Sequence, residues 1–242
     1  MRVAVFGAGG TGGYLGARLA CGGLEVAVVA RGAHLEAIRR HGLRVEGPRG
    51  GFTVAPVLAT DDAAQVGTAD VVLLGVKAWQ VPEAARALRP LLGPETAVVT
   101  LQNGVEAPFQ VAEALGAAHA LAGVCQFSSR VEGPGVIRHG GSLDPELEVG
   151  ALEPRAAEQA RRVAAAFTRA GVPTAVPQDI QVALWLKLAA ICSRAGVGAV
   201  TRAPVGVWRA LPPTRRLAEE GAGEVESSHR GQGQPSYRLC GG

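Results

Sequence analysis

Short apolar runs alternate with amphipathic segments along the first half of the chain. The run from Val3 to Phe6 is β-branched, too short for a helix and stopped by glycine, so it predicts a buried strand. Residues 14–20 keep one side apolar, which predicts a helix, and Leu24 to Ala30 predicts a second strand. The order strand, turn, helix, strand is typical of a parallel α/β sheet.

The same pattern continues downstream. Residues 69–77 and 96–104 each predict a buried parallel strand, and the three short runs 121–127, 135–138 and 146–149 predict antiparallel strands that complete the sheet. The predicted fold is therefore a Rossmann-type, mostly parallel sheet with helices on both faces. An incomplete, all-helical C-terminal domain is expected to follow it.

Changes in composition suggest where the domains divide. Pro173 and Pro177 predict a boundary that separates a first domain, residues 1–172, from a partial helical domain, residues 173–220. From Gly221 to Gly242 the chain has six glycines in 22 residues and no apolar period, so we expect a disordered tail. This abrupt change indicates a truncation, a shift of reading frame or a genuine short variant.

Overall composition excludes several classes of protein. The 242 residues are 48% hydrophobic, enough for a real core, and the net charge of +3 is spread along the chain, so composition gives no case for nucleic-acid binding. The four cysteines lie far apart, which argues against zinc and disulfide frameworks. With no signal-peptide pattern and no apolar stretch of membrane-spanning length, we expect a cytoplasmic protein without membrane contact.

A glycine-rich turn follows the first predicted strand. It reads Gly7-Ala8-Gly9-Gly10-Thr11-Gly12. In such a turn the first glycine permits the tight bend, the second allows backbone to approach a pyrophosphate, and the third lets the helix pack on the strand. Exposed N–H groups at the start of the helix attract the anion. The pattern predicts a dinucleotide-binding site in preference to an ordinary glycine turn.

The end of the second strand indicates which dinucleotide is bound. An acidic residue there would bind a ribose 2′-hydroxyl, but the chain has Arg31. A guanidinium offers several donors to a 2′-phosphate, so the sequence favours NADP over NAD. The alternative is that Arg31 is a solvated cation ahead of the next helix.

Two further polar residues end predicted parallel strands. Lys77 follows the strand at 69–76, and Asn103 follows the strand at 96–101. Ligands of open α/β sheets bind beyond the carboxyl ends of the strands, so both residues are expected to face the cofactor. The alternatives are a solvated lysine at the start of a helix and an asparagine that favours a turn.

A lysine lies within an apolar helix predicted at residues 179–192. Helical spacing places Lys187 on the same stripe as Ile180, Leu184 and Ile191, and it is the only cation of that segment. An ammonium in apolar surroundings loses hydration, which favours proton transfer and makes Lys187 a candidate general acid. Alternatively, its stem packs and its charge reaches water.

Taken together, these motifs resemble the ketopantoate reductase family over residues 1 to about 218. The matching segments are the glycine turn, Arg31, Val76-Lys77-Ala78-Trp79-Gln80, Leu101-Gln102-Asn103-Gly104 and Trp185-Leu186-Lys187-Leu188. The resemblance implies NADPH-dependent reduction of 2-dehydropantoate to pantoate, on the pathway to pantothenate and coenzyme A. It also implies roles: Lys187 would donate the proton, Asn103 would orient cofactor and substrate, and Lys77 would contact cofactor and active site.

Two departures leave alternatives open. The family commonly has substrate-binding asparagines four and eight residues after the lysine, where this chain has Ile191 and Ala195. That difference favours a second hypothesis, a reductase of another branched 2-oxo acid. The resemblance also implies that residues 1–172 are an NADP-binding domain and residues 173–220 part of a helical substrate domain. In family members that domain continues into helices that supply a serine and a glutamate, which no residue here matches. A third hypothesis is thus a catalytically impaired NADP-binding protein, whose helix 179–195 exposes an apolar face and favours a homodimer or aggregation.

Overall fold

The computed structural model describes residues 1–48 and 50–230. They form two compact units, of which the first comprises Met1–Gln102 and Glu106–Ile180, and the second comprises Asn103–Val105 and the residues from Gln181 onward. The sequence placed this division after residue 172. The first unit extends to Ile180 because Thr174 and Ala175 still pair with the sheet, so Pro173 does not end it.

The first unit is an α/β domain. Its strands are β1 Arg2–Phe6, β2 Glu25–Val29, β3 Leu43–Gly47, β4 Gly50–Val54, β5 Leu58–Thr60, β6 Val71–Leu74, β7 Ala97–Thr100, β8 Ala120–Gly133, β9 Val136–Ala151 and β10 Thr174–Ala175. Its α-helices are α1 Gly10–Cys21, α2 Gly32–His41, α3 Val81–Ala87, α4 Ala107–Leu115 and α5 Ala157–Arg169. The strand–turn–helix–strand unit predicted at the N-terminus is therefore confirmed.

All these strands belong to one sheet. Its order is β4-β3-β9-β8-β7-β6-β1-β2-β5, and β10 pairs with β9. The central strand β1 runs parallel to β2 and to β6, so that Val3 lies opposite Val26 on one side and Val71 on the other. The succession β6, β7, β8 is also parallel. The prediction of a mostly parallel sheet is confirmed.

The core lies on both faces of this sheet. Alternate residues of β1 point to opposite sides, since Val3 and Val5 pack with Leu15 of α1 and Phe167 of α5. Ala4 and Phe6 pack on the other face, with side chains of α3 and α4. The predicted coverage of both faces by helices is thus confirmed.

The strands between residues 118 and 151 differ from the prediction. The sequence predicts three short strands, whereas the chain forms one long antiparallel hairpin of β8 and β9. The pairing register shifts between Cys125 and Phe127, and again between Val131 and Gly133. At such a shift an extra residue is left unpaired and the hydrogen-bonded ladder continues beyond it. β-bulges therefore let the strands continue through glycine-rich sequence.

The second unit is helical. It contains α6 Ile180–Thr201, whose first residue belongs to the first unit, together with α7 Val205–Ala210 and α8 Pro212–Arg230. The prediction of disorder from residue 221 is wrong for residues 221–230, because α8 continues through them; residues 231–242 lie outside the described part. At Gly221, α8 lies against α6, since a Cβ there would be 3.8 Å from Ser193 Cα, an ordinary packing contact.

Helix α6 is longer than predicted. It continues to Thr201, and with 22 residues and a mean hydropathy of 1.4 it is long and apolar enough to cross a membrane by length and composition. The expectation that no apolar stretch reaches this length is therefore wrong, because the predicted helix stopped at residue 192. A single such helix is weak evidence for a membrane span, since core helices of many other proteins meet the same criterion.

Candidate functional site

The glycine turn lies between β1 and α1 and rests on the end of β6. Gly7 has φ 97°, and a Cβ there would come within 2.9 Å of Val76 N, so the tight bend requires glycine. A Cβ on Gly12 would collide with Gly7 O, which places α1 directly against the turn. The predicted backbone features, a tight bend at Gly7 and close packing of the helix at Gly12, are confirmed.

The N-terminus of α1 is open to an anion. Its N-cap residue is Gly9, no side chain caps the first turn, and that turn contains no acidic residue. The N–H groups of Gly10, Thr11 and Gly12 belong to this first turn, where an α-helix provides no internal acceptors. Beside Gly9, the atom nearest to an added Cβ is Gly75 O at 4.0 Å. The backbone is therefore loosely packed at Gly9, the N-cap position that lines the cavity described next.

A cavity of about 410 Å³ opens beside this turn within the first unit. Four of the predicted site residues line it: Gly7, Gly9, Arg31 and Lys77. The rest of the wall comes from the ends of β1, β2 and β6, from Ala8, from His34 of α2, from α3 with Gln80 before it, and from Val131 of β8. The cavity thus lies at the carboxyl ends of adjacent parallel strands, where ligands of open α/β sheets bind.

Arg31 lies at the end of β2 and is the N-cap residue of α2, with an extended backbone conformation. Its side chain is exposed and lines the cavity. Within the described residues it makes no ion pair, whereas Arg39 on the same helix pairs with Glu36. The guanidinium of Arg31 is therefore available to an anionic ligand in the cavity.

Lys77 follows β6 and precedes the 3-10 turn Ala78–Gln80. This turn fixes its backbone, because Lys77 N–H donates to Gln80 Oε1 at 3.1 Å and Gln80 N–H donates to Lys77 O at 2.9 Å. The ammonium is exposed at the cavity wall, and Glu83 lines the same wall. Lys77 therefore adds a second positive charge to the side where Arg31 lies.

Gln102 joins the ends of β6 and β7, and sequence reasoning gave it no role of its own. Its Nε2 donates to Leu74 O at 2.8 Å and to Val76 O at 2.9 Å, while its Oε1 accepts from Leu101 N–H at 3.1 Å. The side chain is buried. These bonds fix the backbone just before Lys77 and just before Asn103, so Gln102 positions both strand ends.

His34 is a second residue that sequence reasoning missed. It lies on α2, lines the cavity and is half-buried. Its Nε2 is 2.8 Å from Ala8 O in the glycine turn, and Gly135 N–H donates to its Nδ1 at 3.0 Å. The spacing of three residues from Arg31 on a helix could have indicated a shared face.

Asn103 and Lys187 belong to the second unit. Asn103 is exposed in the loop after β7 and is absent from the cavity wall described above. Lys187 is half-buried in α6. Lys187 is the only lysine or arginine of the predicted segment 179–192, but α6 is longer and also includes Arg194, whose Nε donates to Ala190 O at 2.8 Å.

A buried polar cluster anchors α1 to β9. Arg18 Nη1 donates to Glu146 Oε1 at 3.0 Å and to the Tyr14 hydroxyl at 2.7 Å, and that hydroxyl donates to Glu146 Oε2 at 3.2 Å. Burial and the Glu146 carboxylate raise the pKa of Tyr14 above its ordinary value. Burial alone would lower the pKa of Arg18, but its contacts with Tyr14 and Glu146 outweigh this and raise it. The cluster holds the helix whose N-terminus borders the cavity.

The described residues contain no group of three or more His, Cys, Asp or Glu side chains that could hold a metal ion.

Residues 3–154 match a family model described as "Ketopantoate reductase PanE/ApbA". A 2-dehydropantoate 2-reductase of Mesorhizobium japonicum is 33% identical over 239 residues, which is 90% of this chain and 72% of that protein. One from Halobacterium salinarum is 35% identical over 229 residues, 93% of this chain and 73% of that protein.

Solved structures show the same likeness. The crystal structure of 2-dehydropantoate 2-reductase from Porphyromonas gingivalis matches with a TM-score of 0.88 and 32% identity. The match covers 99% of this chain and 85% of the P. gingivalis chain. A ternary structure of D-mandelate dehydrogenase with NADH and anilino(oxo)acetate has a TM-score of 0.88 at 18% identity, which shows a shared fold. On the family match and these identities, the chain belongs to the ketopantoate reductase family.

Proposed function

We propose that the chain catalyses the NADPH-dependent reduction of 2-dehydropantoate to pantoate, on the route to pantothenate and coenzyme A. The main support is the cavity of about 410 Å³, where the uncapped start of α1 meets two exposed cations. Relatives named for this reaction, which span nearly the whole chain, support the same activity.

The residues around the cavity fit an anionic dinucleotide. The first-turn N–H groups of Gly10, Thr11 and Gly12 would bind the pyrophosphate, with Gly7 and Gly9 allowing its close approach. Arg31, which has no ion pair among the described residues, would bind the 2′-phosphate through charge-assisted hydrogen bonds. Lys77 would contact a cofactor phosphate or the reacting end of the cofactor.

Bound NADPH supplies a hydride for the ketone carbon of the substrate. Reduction then places negative charge on the ketone oxygen, which needs a stabilising cation and a proton. Lys187 would hold that proton on Nζ and donate it to the oxygen, while the Asn103 amide would orient cofactor and substrate by hydrogen bonds. General acid catalysis of this kind contributes roughly two to four orders of magnitude in rate.

A second candidate is the reduction of another branched 2-oxo acid. It rests on Ile191 and Ala195, which lie one and two turns after Lys187 in α6, where asparagines would supply amide donors to the substrate. Ile191 is half-buried and offers an apolar surface instead. A substrate with a larger apolar branch and fewer hydroxyl groups would suit these side chains better.

A third candidate is an NADP-binding protein without reductase activity. It would keep the cavity of the first unit and lack turnover.

Two further expectations belong to the proposal: a cytoplasmic protein that acts on a small 2-oxo acid without contacting nucleic acid or membrane, and association into a homodimer. Exposed apolar side chains of the second unit support association, among them Val200 at 77% exposure and Val207 at 54%.

One assay separates the three candidates. Purified protein is mixed with NADPH and either 2-dehydropantoate or a simpler branched 2-oxo acid, and loss of the reduced-nicotinamide absorbance is followed. Faster oxidation with 2-dehydropantoate supports the proposed reaction, and faster oxidation with the simpler acid supports the second candidate. NADPH binding without oxidation supports the third, and NADH in place of NADPH tests the choice of cofactor.

A further inference from the structure

Three segments of the first unit meet at the His34 ring. His34 itself lies on α2, its Nε2 is 2.8 Å from the carbonyl oxygen of Ala8 in the glycine turn, and its Nδ1 accepts from Gly135 N–H at 3.0 Å. Gly135 lies in the turn between β8 and β9. A single side chain therefore links the glycine turn to the hairpin that supplies Val131 to the cavity wall.

The two partners determine the protonation state of the ring. Gly135 N–H can only donate, so Nδ1 must carry a lone pair and no hydrogen. Ala8 O can only accept, so Nε2 must carry the hydrogen. The ring is therefore neutral and in the Nε2–H form, and a doubly protonated ring would lose its bond to Gly135. Both nitrogens contact backbone and neither is left to contact a ligand.

The hairpin lies tightly on both cofactor elements. Gly135 has φ 73°, and a Cβ there would be 2.9 Å from Ala37 Cβ of α2. A Cβ on Gly10 would be 2.6 Å from Ser129 O of β8, so the hairpin backbone also touches the first turn of α1. Small movements of this hairpin would therefore change the shape of the cavity and the surroundings of the first-turn N–H groups.

The Ala8 carbonyl lies in the turn that would approach the pyrophosphate. A carbonyl oxygen turned toward a phosphate would repel it, while a carbonyl bonded to the imidazole N–H is held away and partly neutralised. The nearby charges of the cavity wall are Arg31, Lys77 and Glu83, whereas the two hydrogen-bond partners of the ring are backbone groups of Ala8 and Gly135. His34 thus acts on the shape of the turn instead of adding to the positive charge.

We infer that His34 is a positioning residue for the cofactor: its neutral Nε2–H ring holds the Ala8 carbonyl and the β8–β9 turn in the geometry that binds NADPH. This inference rests on the proposed cofactor site and extends it. It predicts that His34 controls cofactor affinity and leaves the chemical step unchanged, since neither ring nitrogen reaches a ligand.

Two variants separate the two bonds. In His34→Gln the amide nitrogen can occupy the position of Nε2 and donate to Ala8 O, whereas in His34→Asn the shorter side chain can accept from Gly135 N–H and cannot reach Ala8. By calorimetry we expect His34→Asn to raise the Kd for NADPH about tenfold, the effect of one hydrogen bond. We expect His34→Gln to stay within about threefold of the parent Kd.

Fold and chemistry are checked on the same samples. Thermal unfolding midpoints show whether each variant folds, and kcat at saturating NADPH is expected to change less than about twofold in either variant. The five histidines of the chain allow ¹⁵N-imidazole NMR, with the His34 signals assigned by their loss in His34→Gln. The expected signature at neutral pH is the Nε2–H form.

The possible results are distinct. If the parent binds NADPH and both variants bind it equally well, the inference is wrong and the proposed function stands. An Nδ1–H or cationic ring, or a lower kcat with unchanged Kd, also overturns the inference. If the parent binds neither NADPH nor NADH, the proposed function fails and the inference with it.

Discussion

Arg18 and Glu146 form a partly buried ion pair across 128 residues of chain, with Arg18 Nη1 3.0 Å from Glu146 Oε1. The Glu146 side chain is only 6% exposed, and the Tyr14 hydroxyl bonds to both partners. The pair ties α1 to β9, the second strand of the β8–β9 hairpin. Because the other end of α1 borders the cavity, this interior contact supports the geometry of the candidate site.

Removing one charge of this pair should destabilise the first unit. Glu146→Gln would leave the partly buried Arg18 guanidinium with a neutral partner, and losing a charge-assisted hydrogen bond of this kind costs about 1.5–3 kcal/mol. The measurement is urea unfolding followed by circular dichroism. The matched control is Glu158→Gln, which breaks the exposed pair with Arg161 and should cost about 1 kcal/mol or less. Equal losses in the two variants would show that the partly buried pair contributes no more than a surface pair.

The raised pKa of Tyr14 predicts a loss of stability at high pH. Its ordinary pKa is 10.0, and burial raises it in the folded state, so the unfolded chain loses the phenolic proton first as the pH rises. The stabilising contribution is complete below the unfolded pKa and is lost as pH rises from there through the folded pKa. Urea midpoints measured upward from about pH 9 should therefore fall more steeply in the parent than in Tyr14→Phe. Parallel curves for the two proteins would rule out this linkage.

Arg31 should select between the two coenzymes. Arg31→Ala removes charge-assisted bonds to a 2′-phosphate, so we expect the Kd for NADPH to rise about 10- to 100-fold and the Kd for NADH to change little. Arg39→Ala is the control on the same helix, because Arg39 pairs with Glu36 and lies outside the cavity wall. An equal loss of affinity for both coenzymes would mean that Arg31 does not read the 2′-phosphate.

Lys187 should matter for turnover and not for cofactor binding. In Lys187→Ala we expect kcat to fall about 10²- to 10⁴-fold, the usual contribution of a general acid, with NADPH affinity preserved. Arg194→Ala is the control, because it removes the other cation of α6. If the effect is specific to Lys187 and does not follow from any loss of positive charge on this helix, kcat of Arg194→Ala should stay within about twofold of the parent. Reductase rates unchanged by loss of Lys187 would reject its role as proton donor.

Local sequence patterns were sufficient to predict the site residues whose positions depend on a single short segment of chain. The bend at Gly7 and the helix contact at Gly12 follow from one strand-to-helix turn, and Arg31 and Lys77 lie at the cavity because each ends a parallel strand. Parallel strands bring their carboxyl ends together whatever lies between them in sequence, so strand ends predict a shared edge.

The residues that sequence reasoning missed have distant partners. His34 bonds to Gly135 over 101 residues, and Arg18 bonds to Glu146 over 128 residues, so no local spacing indicates either pair. The long β8–β9 hairpin was missed because bulges hide its alternation. Helix α8 was missed beyond Gly221 because glycine lowers helix propensity by only about 1 kcal/mol per residue, which does not by itself end a helix.

The most direct test of the central claim, that the cavity beside α1 binds NADPH, is calorimetric titration of the purified protein with NADPH and, separately, NADH. We expect saturable binding of NADPH that is tighter than that of NADH, and loss of this preference in Arg31→Ala. Folded protein that releases no heat with either coenzyme would contradict the claim.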